Sequence, residues 1–122
     1  PYSREKAELG RLLFFDPRLS ANGRISCASC HKAEYAFADK EKFSAGVGGE
    51  LGTRNAPSLI NRAYGLSQFW DGRAQTLEEQ ADGPINNATE MGADPQHVVE
   101  VLSRIPGYAP LFRAAFGDAA IR

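Results

Sequence analysis

The sequence has few cysteines to cross-link a small protein, and it has no surplus of basic or acidic residues that would favour a charged partner. Its 122 residues include only two cysteines, one methionine and one tryptophan. Two cysteines are too few for a disulfide framework. No apolar run approaches the roughly 20 residues of a membrane-spanning helix, so no membrane span is expected. The net charge of -1 lacks the basic surplus that nucleic acid rewards, so nucleic acid is not an expected partner.

Glycine and proline, by contrast, are abundant, with 12 Gly and 7 Pro. Several of the glycines fall between 40 and 57, which predicts a long loop, and ordered loops of that length are usually functional. The length suits a single domain over 1–122. Loops this rich in glycine and proline need a further apolar group to pack around, because the chain alone offers them little core.

Apolar residues recur at helical spacing in several segments and nowhere alternate convincingly, so the predicted fold class is all-α, with few strands or none. The first helix is expected from Arg4 to Phe15, between a Ser3 cap and a stop at Asp16-Pro17. Two further helices are expected after Asp94-Pro95 and after Pro106-Gly107.

A shorter helix is predicted over about 77–82. Thr76 and Glu79 match the capping box, in which each side chain accepts a hydrogen bond from the other residue's backbone amide. Gly83 followed by Pro84 is typical of a helix end. The predicted architecture is therefore several short helices joined by long Gly- and Pro-rich loops.

Both cysteines lie in the segment 27–31, CASCH, which has the C-x-x-C-H spacing of c-type haem attachment. Two thioether bonds from Cys27 and Cys30 would reach the porphyrin vinyl groups, and His31 would ligate the iron. One covalent haem would supply the missing apolar surface. The alternatives are a zinc site, which needs two more ligands, a thioredoxin-like pair, which needs a βαβ context, and a disulfide, which leaves the loops unsupported.

Bacteria make haem c thioethers outside the cytoplasm, so the attachment motif also predicts a location. The expected location is periplasmic. The sequence opens without a basic and then apolar leader, so any signal peptide is expected to have been removed already.

Two interpretations of the other face of the iron stay open on the residues alone. Met91 is able to serve as the sixth ligand of an electron carrier, although a lone methionine is equally a core residue. Alternatively, Glu90 faces the iron, takes a proton from bound peroxide and returns it to the departing oxygen, while Gln80 orients the peroxide or a water. A solvated role for Glu90 and a packing role for Trp70 are the plainer interpretations.

Several motifs follow one another in a fixed order, and together they carry a family resemblance. They are 9–20 (LGRLLFFDPRLS), 27–31 (CASCH), 52–58 (GTRNAPS), 69–74 (FWDGRA), 79–84 (EQADGP) and 90–91 (EM). In this order they resemble the N-terminal, peroxidatic domain of the bacterial dihaem cytochrome c peroxidases and their MauG-type relatives. The resemblance implies a cytochrome c-like domain around one covalently attached haem.

The resemblance also implies roles for residues on both faces of that haem. The residues that would attach and ligate it are Cys27, Cys30 and His31. Glu90 would be the distal acid–base carboxylate, with Gln80 as its neighbour and Pro84 lining the same pocket. Met91 would then be a neighbour of Glu90 and not an iron ligand.

Two more residues would connect this haem to a second one. Trp70 would lie between the two haems as the route for electrons. Asn55 would fall where the family places a side-chain ligand of a calcium ion between the two haem domains. Arg54 and Arg73 are expected to pair with haem propionates or with local carboxylates, and His97 to take a surface or capping role.

The sequence departs from the resembled pattern in two respects. Many of these peroxidases carry a distal histidine in the Gly-rich loop, whereas the matching position here is Val47, which cannot ligate iron. An iron open to peroxide without activation is therefore expected, as in the MauG-type branch. The second departure is that the chain has one C-x-x-C-H where the family has two, so it is expected to be part of a larger two-haem protein or to work with a separate haem partner.

The leading hypothesis is thus a haem c peroxidase domain that reduces hydrogen peroxide or forms a high-valent iron–oxo oxidant. Its expected partners are hydrogen peroxide and either a second haem domain or a small electron-donor protein, and homodimer formation is left open. The alternative hypothesis is a monohaem electron-transfer cytochrome c with His31 and Met91 as axial ligands.

Overall fold

The computed structural model describes residues 2–121, and helices account for nearly all of their regular structure. The β-structure within residues 2–121 is limited to three isolated antiparallel bridges, so the all-α prediction is confirmed. No helix in this part of the chain is long and apolar enough to cross a membrane. The α-helices are α1 (Arg4–Phe15), α2 (Cys27–Cys30), α3 (Leu77–Asn86), α4 (Pro95–Ser103) and α5 (Tyr108–Phe116).

Three of the predicted helices form, α1 and α4 with the expected start or stop signals and α5 with a C-cap that the sequence analysis did not include. The Ser3 hydroxyl accepts a hydrogen bond from the backbone N–H of Lys6 at the start of α1, and α1 ends at Phe15 as predicted. Asp94 caps α4 in the same way. Helix α5 ends at Gly117, whose φ of 88° gives the left-handed cap that glycine adopts without strain.

The predicted end of α3 is wrong. The helix continues through Gly83 and Pro84 to Asn86, although a proline inside a helix removes one hydrogen bond and crowds the carbonyl four residues earlier. Gly83 does not cap the helix; a Cβ there would lie 2.9 Å from Cζ of Phe69, so the glycine admits that ring against the helix.

The capping box at the start of α3 is only half formed. The backbone N–H of Glu79 donates to the Thr76 hydroxyl as predicted. The Glu79 carboxylate, however, accepts a hydrogen bond from Gln75 N at 2.7 Å. The carboxylate thus closes a slightly wider loop than the predicted one.

The buried core lies where α1, α4 and α5 meet. Helix α1 packs against both α5 and the short α2, and α4 packs against α5 and against a 3₁₀ turn at Pro17–Leu19. This arrangement sets the cysteine-bearing helix α2 directly against α1. The buried cluster consists of Leu9, Leu19, Met91, Leu102, Tyr108 and Phe112.

A buried carboxylate joins the end of α1 to the start of α5. Asp16 accepts a 2.7 Å hydrogen bond from the Tyr108 hydroxyl and pairs with Arg18, also at 2.7 Å. The hydrogen bonds from Arg18, reinforced by the one from Tyr108, lower the pKa of Asp16 to about 2. Burial, together with the bond to Asp16, raises the pKa of Tyr108 to about 12.

We expect this carboxylate to make the fold acid-sensitive. Because the folded-state pKa of Asp16 is lowered, its contribution of about 2 kcal/mol is complete above about pH 4 and is lost as the pH falls toward 2. The substitution Asp16→Asn should therefore destabilise the folded protein at pH 7, with a difference from wild type that shrinks on acidification. Urea unfolding at a series of pH values measures this.

The matched control is Glu100→Gln, which alters an exposed carboxylate with a 3.9 Å ion pair to Arg104 and an exposed hydrogen bond from Gln96. It should change the free energy of unfolding by less than about 0.5 kcal/mol. A destabilisation by Asp16→Asn that stays constant from pH 7 to pH 2 would contradict the assignment.

Candidate functional site

The two cysteines lie on the single turn of α2. The backbone N–H of Ser26 donates to the Ser29 hydroxyl at 3.0 Å, which starts the turn directly before Cys27. Residues three apart on a helix are surface neighbours, so Cys27 and Cys30 lie on one side of it. Both thiols are free and half-buried, and burial raises the pKa of each. This pair suits two attachments to one planar group.

His31 follows directly and its ring is held in one orientation. Its Nδ1 lies 2.9 Å from the backbone oxygen of Phe37 and 3.1 Å from that of Pro57. Since carbonyl oxygens only accept, Nδ1 carries the proton and Nε2 carries the lone pair. Within residues 2–121 that Nε2 makes no hydrogen bond. A ring fixed through its second nitrogen is the usual arrangement of a metal-binding histidine, so the residues present fit a haem.

A buried carboxylate that the sequence analysis missed supports the chain around Cys30. Asp39 accepts hydrogen bonds from Lys32 Nζ at 2.8 Å and from the Ser44 hydroxyl at 2.7 Å. Burial alone would raise the pKa of Asp39, but these bonds outweigh it and lower the pKa to about 2. Asp39 is therefore a fixed negative charge that joins Lys32, two residues after Cys30, to Ser44. An aspartate between an alanine and a lysine gives no such signal in the sequence.

The segment carrying Glu90 is fastened to the end of α3. The last carbonyls of a helix lack partners within it, and here the chain folds back to supply them. Met91 N donates to Pro84 O at 3.1 Å, and Ala93 N donates to Ile85 O at 2.8 Å. These two bonds bring Glu90 beside the turn of α3 that contains Pro84.

Of the predicted distal residues, Glu90 and Pro84 therefore lie beside each other. Gln80 and Pro84 are four residues apart on α3 and share one side of it. Glu90 is half-buried, and its Oε1 accepts a 2.9 Å hydrogen bond from Nδ2 of Asn87. Burial raises the pKa of Cys30, and the negative charges of Asp39 and Glu90 add to this effect, so the Glu90 carboxylate lies within electrostatic range of Cys30.

The Gly-rich loop is fastened to this same segment. Val47 N donates to Glu90 O at 2.8 Å. A Cβ at Gly46 would overlap the backbone oxygen of Thr89 and would lie 2.6 Å from Cα of Glu90. The methyl group of Val47 in turn packs so closely on Gly92 that a Cβ there would lie 3.0 Å away. Only glycine fits at position 46.

Trp70 and Asn55 are in direct contact at the surface. The Trp70 indole is 64% exposed, and its Nε1 donates to the backbone oxygen of Asn55 at 2.9 Å. The Asn55 side chain donates through Nδ2 to the backbone oxygens of Asp39 and Glu41. Both of these bonds use the amide nitrogen, so Oδ1 of Asn55 is the side-chain atom that remains to accept a hydrogen bond or to bind a cation.

The neighbouring arginines bind a local carboxylate. Arg54 and Arg73 contact Asp71 at 2.7 and 2.8 Å, and their hydrogen bonds, led by that of Arg54, lower the pKa of Asp71 to about 2. The guanidinium of Arg73 also stacks 3.5 Å from the ring centre of Phe69. Of the two expectations for these arginines, the local pairing is the one observed.

Met91 and His97 lie apart from this arrangement. Met91 is 3% exposed and belongs to the core between the helices. His97 is half-buried on α4, where its backbone N–H donates to the capping carboxylate of Asp94 and its Nε2 is buried without a partner among residues 2–121. In the same range no group of three or more His, Cys, Asp or Glu side chains is placed to hold a metal ion.

Comparison with known proteins identifies the family. The family model described as di-haem cytochrome c peroxidase matches residues 4–122, and the chain belongs to this family. It is 47% identical over 119 residues to cytochrome c551 peroxidase of Pseudomonas aeruginosa, covering 98% of this chain and 34% of that protein. It is also 47% identical over 118 residues to the methylamine utilization protein MauG of Methylorubrum extorquens, covering 97% and 33%.

Solved structures share the fold. A MauG-like protein associated with microbial copper homeostasis superposes with a TM-score of 0.88 at 41% identity, over 96% of this chain and 35% of that one. The diheme peroxidase BthA of Burkholderia thailandensis superposes with a TM-score of 0.85 at 32% identity, over 98% of this chain and 34% of that one. The cytochrome c-like fold predicted from the sequence is confirmed. The chain spans about a third of the length of the relatives it matches.

We expect Gly46→Ala to disrupt the contact between the Gly-rich loop and the Glu90 segment. Because the new methyl group would meet backbone atoms that cannot turn aside, the substitution should cost about 3 kcal/mol or more of unfolding free energy. Urea unfolding of the haem-loaded protein measures the loss.

The matched control for this prediction is Gly10→Ala on α1, where a Cβ meets nothing within 4 Å. Alanine is the better helix former, so this variant should be about 0.5–1 kcal/mol more stable than wild type. Wild-type stability of Gly46→Ala would refute the close contact.

Proposed function

We propose that residues 1–122 form the haem c domain of a larger two-haem peroxidase, and that hydrogen peroxide reacts in this domain with electrons from a second haem. The observation that carries the proposal is the half-buried Glu90 carboxylate, which the hydrogen bond from Met91 N to Pro84 O places beside α3 and which lies within electrostatic range of Cys30 of the C-x-x-C-H motif. Membership of the di-haem peroxidase family supports it.

Cys27, Cys30 and His31 are the residues that would hold the haem. The cysteines would form the two thioethers, and Nε2 of His31 would be the proximal ligand, because Nδ1 is engaged by two backbone oxygens. Bound there, haem c supplies an iron centre that accepts peroxide and exchanges electrons with it. Because such thioethers form outside the cytoplasm, we place the protein in the periplasm.

Glu90 is the proposed acid–base group. Its carboxylate takes the proton from one peroxide oxygen and returns it to the other, which departs as water. One carboxylate oxygen, Oε1, is already engaged by Asn87, so Oε2 is the atom that handles the proton. Val47 offers no ligating atom, so the side chain at this position of the Gly-rich loop would not compete with peroxide for the iron.

Gln80 and Pro84 complete the pocket from one side of α3. The Gln80 amide is able to donate to one peroxide oxygen and accept from the other, which would orient the O–O bond toward Glu90. Pro84 presents no N–H group and an apolar ring, so it limits the water that reaches the carboxylate.

Trp70 and Asn55 are the proposed link to the second haem domain. The exposed indole would lie against that domain and carry electrons into this one. Asn55 Oδ1 would contribute one ligand to a calcium ion at the same boundary, with the remaining ligands coming from outside this chain. The hydrogen bond from Trp70 to the Asn55 backbone joins the two features.

The electron-carrier alternative requires Met91 on the iron. Its side chain, 3% exposed, instead packs with core residues of α1, α4 and α5. This burial favours the packing role, so the peroxidase is the better-supported function.

We expect Glu90→Gln to lower the second-order rate constant for hydrogen peroxide by about 10²–10⁴-fold in the full-length, haem-loaded protein. The reason is that the amide cannot take up and return the proton. Stopped-flow spectroscopy of the haem measures the rate. Glu78→Gln, on the exposed first turn of α3, is the matched control and should react like wild type.

Met91→Leu separates the two functions in the same experiment. It should leave the ferric spectrum unchanged if methionine is a packing residue. Loss of a methionine-to-iron charge-transfer band in Met91→Leu, together with normal peroxide kinetics in Glu90→Gln, would establish the carrier instead.

For Trp70, the expected result is a separation of two rates. Trp70→Leu should slow electron arrival from the second haem by about tenfold or more, because the aliphatic side chain removes the aromatic bridge, while the first reaction with peroxide proceeds normally. Rapid-mixing spectroscopy resolves both steps. Trp70→Phe keeps an aromatic ring and should retain part of the rate. Equal electron-transfer rates in all three proteins would exclude Trp70 as the route.

A further inference from the structure

We propose that Asn87 is the residue that positions the Glu90 carboxylate for proton transfer. The inference rests on the proposed acid–base role of Glu90 and adds a residue to it. Asn87 lies just after α3, outside every motif singled out in the sequence. Its Nδ2 donates to Glu90 Oε1 at 2.9 Å, which is the one hydrogen bond made by that carboxylate among residues 2–121.

The orientation of the Asn87 amide is determined by its other contacts. Its Oδ1 lies 3.0 Å from the backbone nitrogen of Thr89 and 3.0 Å from the Thr89 hydroxyl. A backbone N–H only donates, so the atom facing it is the amide oxygen. The amide nitrogen must then face Glu90, and the alternative flip of the side chain is excluded.

The backbone fixes the same pair of residues a second time. Glu90 N and Gly92 N both donate to the backbone oxygen of Asn87 at 2.9 Å. Asn87 N itself donates to Gly83 O at 3.0 Å, which ties the turn to the end of α3. Asn87 thus anchors both the backbone and the side chain of Glu90 to the helix that carries Gln80 and Pro84.

As a consequence, the two carboxylate oxygens of Glu90 have different roles. Oε1 is held by Asn87, while Oε2 has no hydrogen bond within the described part of the chain. Holding one oxygen fixes the plane of the carboxylate and the direction of the other. Since proton transfer requires that oxygen within hydrogen-bond reach of peroxide, a small misalignment is costly. Asn87 is therefore a positioning residue that does not itself touch peroxide.

Two substitutions remove the bond to Glu90 while keeping the turn. Asn87→Asp retains an oxygen that accepts from Thr89 N, and has no N–H group to donate. Asn87→Ser is neutral, also accepts from the backbone two residues on, and is too short to reach Glu90. The matched control is Thr89→Val, which loses only the hydroxyl contact to Asn87 and preserves the bond from Nδ2.

The full-length, haem-loaded variants are compared by their second-order rate constant with hydrogen peroxide, their thermal midpoint and their ferric absorption spectrum. We expect both Asn87 variants to react about 10- to 100-fold more slowly than wild type. The spectrum should be unchanged, the midpoint should shift by less than about 3 °C, and Thr89→Val should react at the wild-type rate. A crystal structure of Asn87→Ser should show the Glu90 carboxylate displaced from its wild-type position.

A double-mutant cycle distinguishes positioning from general damage. In the Glu90→Gln background, Asn87→Ser should change the rate by less than about twofold, because there is no carboxylate left to position. An equal effect in both backgrounds, wild-type rates in both Asn87 variants, or an undisplaced carboxylate would overturn the inference.

The failure of the proposed function has a different outcome. In that case Glu90→Gln itself reacts at the wild-type rate, whatever the Asn87 variants do. Slow reaction of Glu90→Gln with normal reaction of the Asn87 variants would leave Glu90 as the acid–base group and remove Asn87 alone.

Discussion

The carbonyl groups at the end of α3 must find donors, and much of the candidate site follows from how they do so. A helix leaves its last carbonyls without partners, and here the chain turns back at Asn87 to supply the N–H groups of Met91 and Ala93. That return sets Glu90 beside Pro84, buries Met91 between the helices, and presents a backbone oxygen to Val47. The positions of Glu90, of Met91 in the core and of the Gly-rich loop at Val47 thus all depend on the need to supply donors to the last carbonyls of α3.

The carboxylates of the structure divide by the kind of partner they have. Asp16, Asp39 and Asp71 each contact a lysine or arginine, and the pKa of each is lowered to about 2. These groups are fixed charges that join segments of the fold. Glu90 contacts a neutral amide, and no cation is paired with it among residues 2–121. A carboxylate used for proton transfer needs this freedom, because a fixed positive charge beside it would compete with the substrate proton.

Local signals predicted most of the helices well, and a tertiary contact accounts for the wrong end of α3. The bounds of α1 and its Ser3 cap depend on neighbours a few residues away, and the sequence analysis identified both. The C-x-x-C-H segment is equally local, because its chemistry lies in its spacing. The end of α3 was predicted wrongly, since Gly83 serves a contact with Phe69, a residue 14 positions earlier that helix rules do not consider.

The distal residues show the same division. On the residues alone, Glu90 and Gln80 were an open alternative beside the plainer solvated role of Glu90. The family resemblance then favoured the distal role and added Pro84. Asn87 escaped notice because an asparagine after a helix is ordinary, and its importance depends on a turn that only the structure shows. The need for glycine at position 46 depends in the same way on a backbone more than 40 residues away.

The fastening of the Gly-rich loop has a consequence for how such a site can diversify. Position 47 is attached through its backbone N–H, which every residue except proline possesses. The attachment therefore does not depend on the side chain at that position. Different side chains can be presented at the same place without rebuilding the loop, provided that they turn away from Gly92. The backbone contact that holds position 47 is thus independent of the side chain that position 47 presents, so that one fold can accommodate different side chains there.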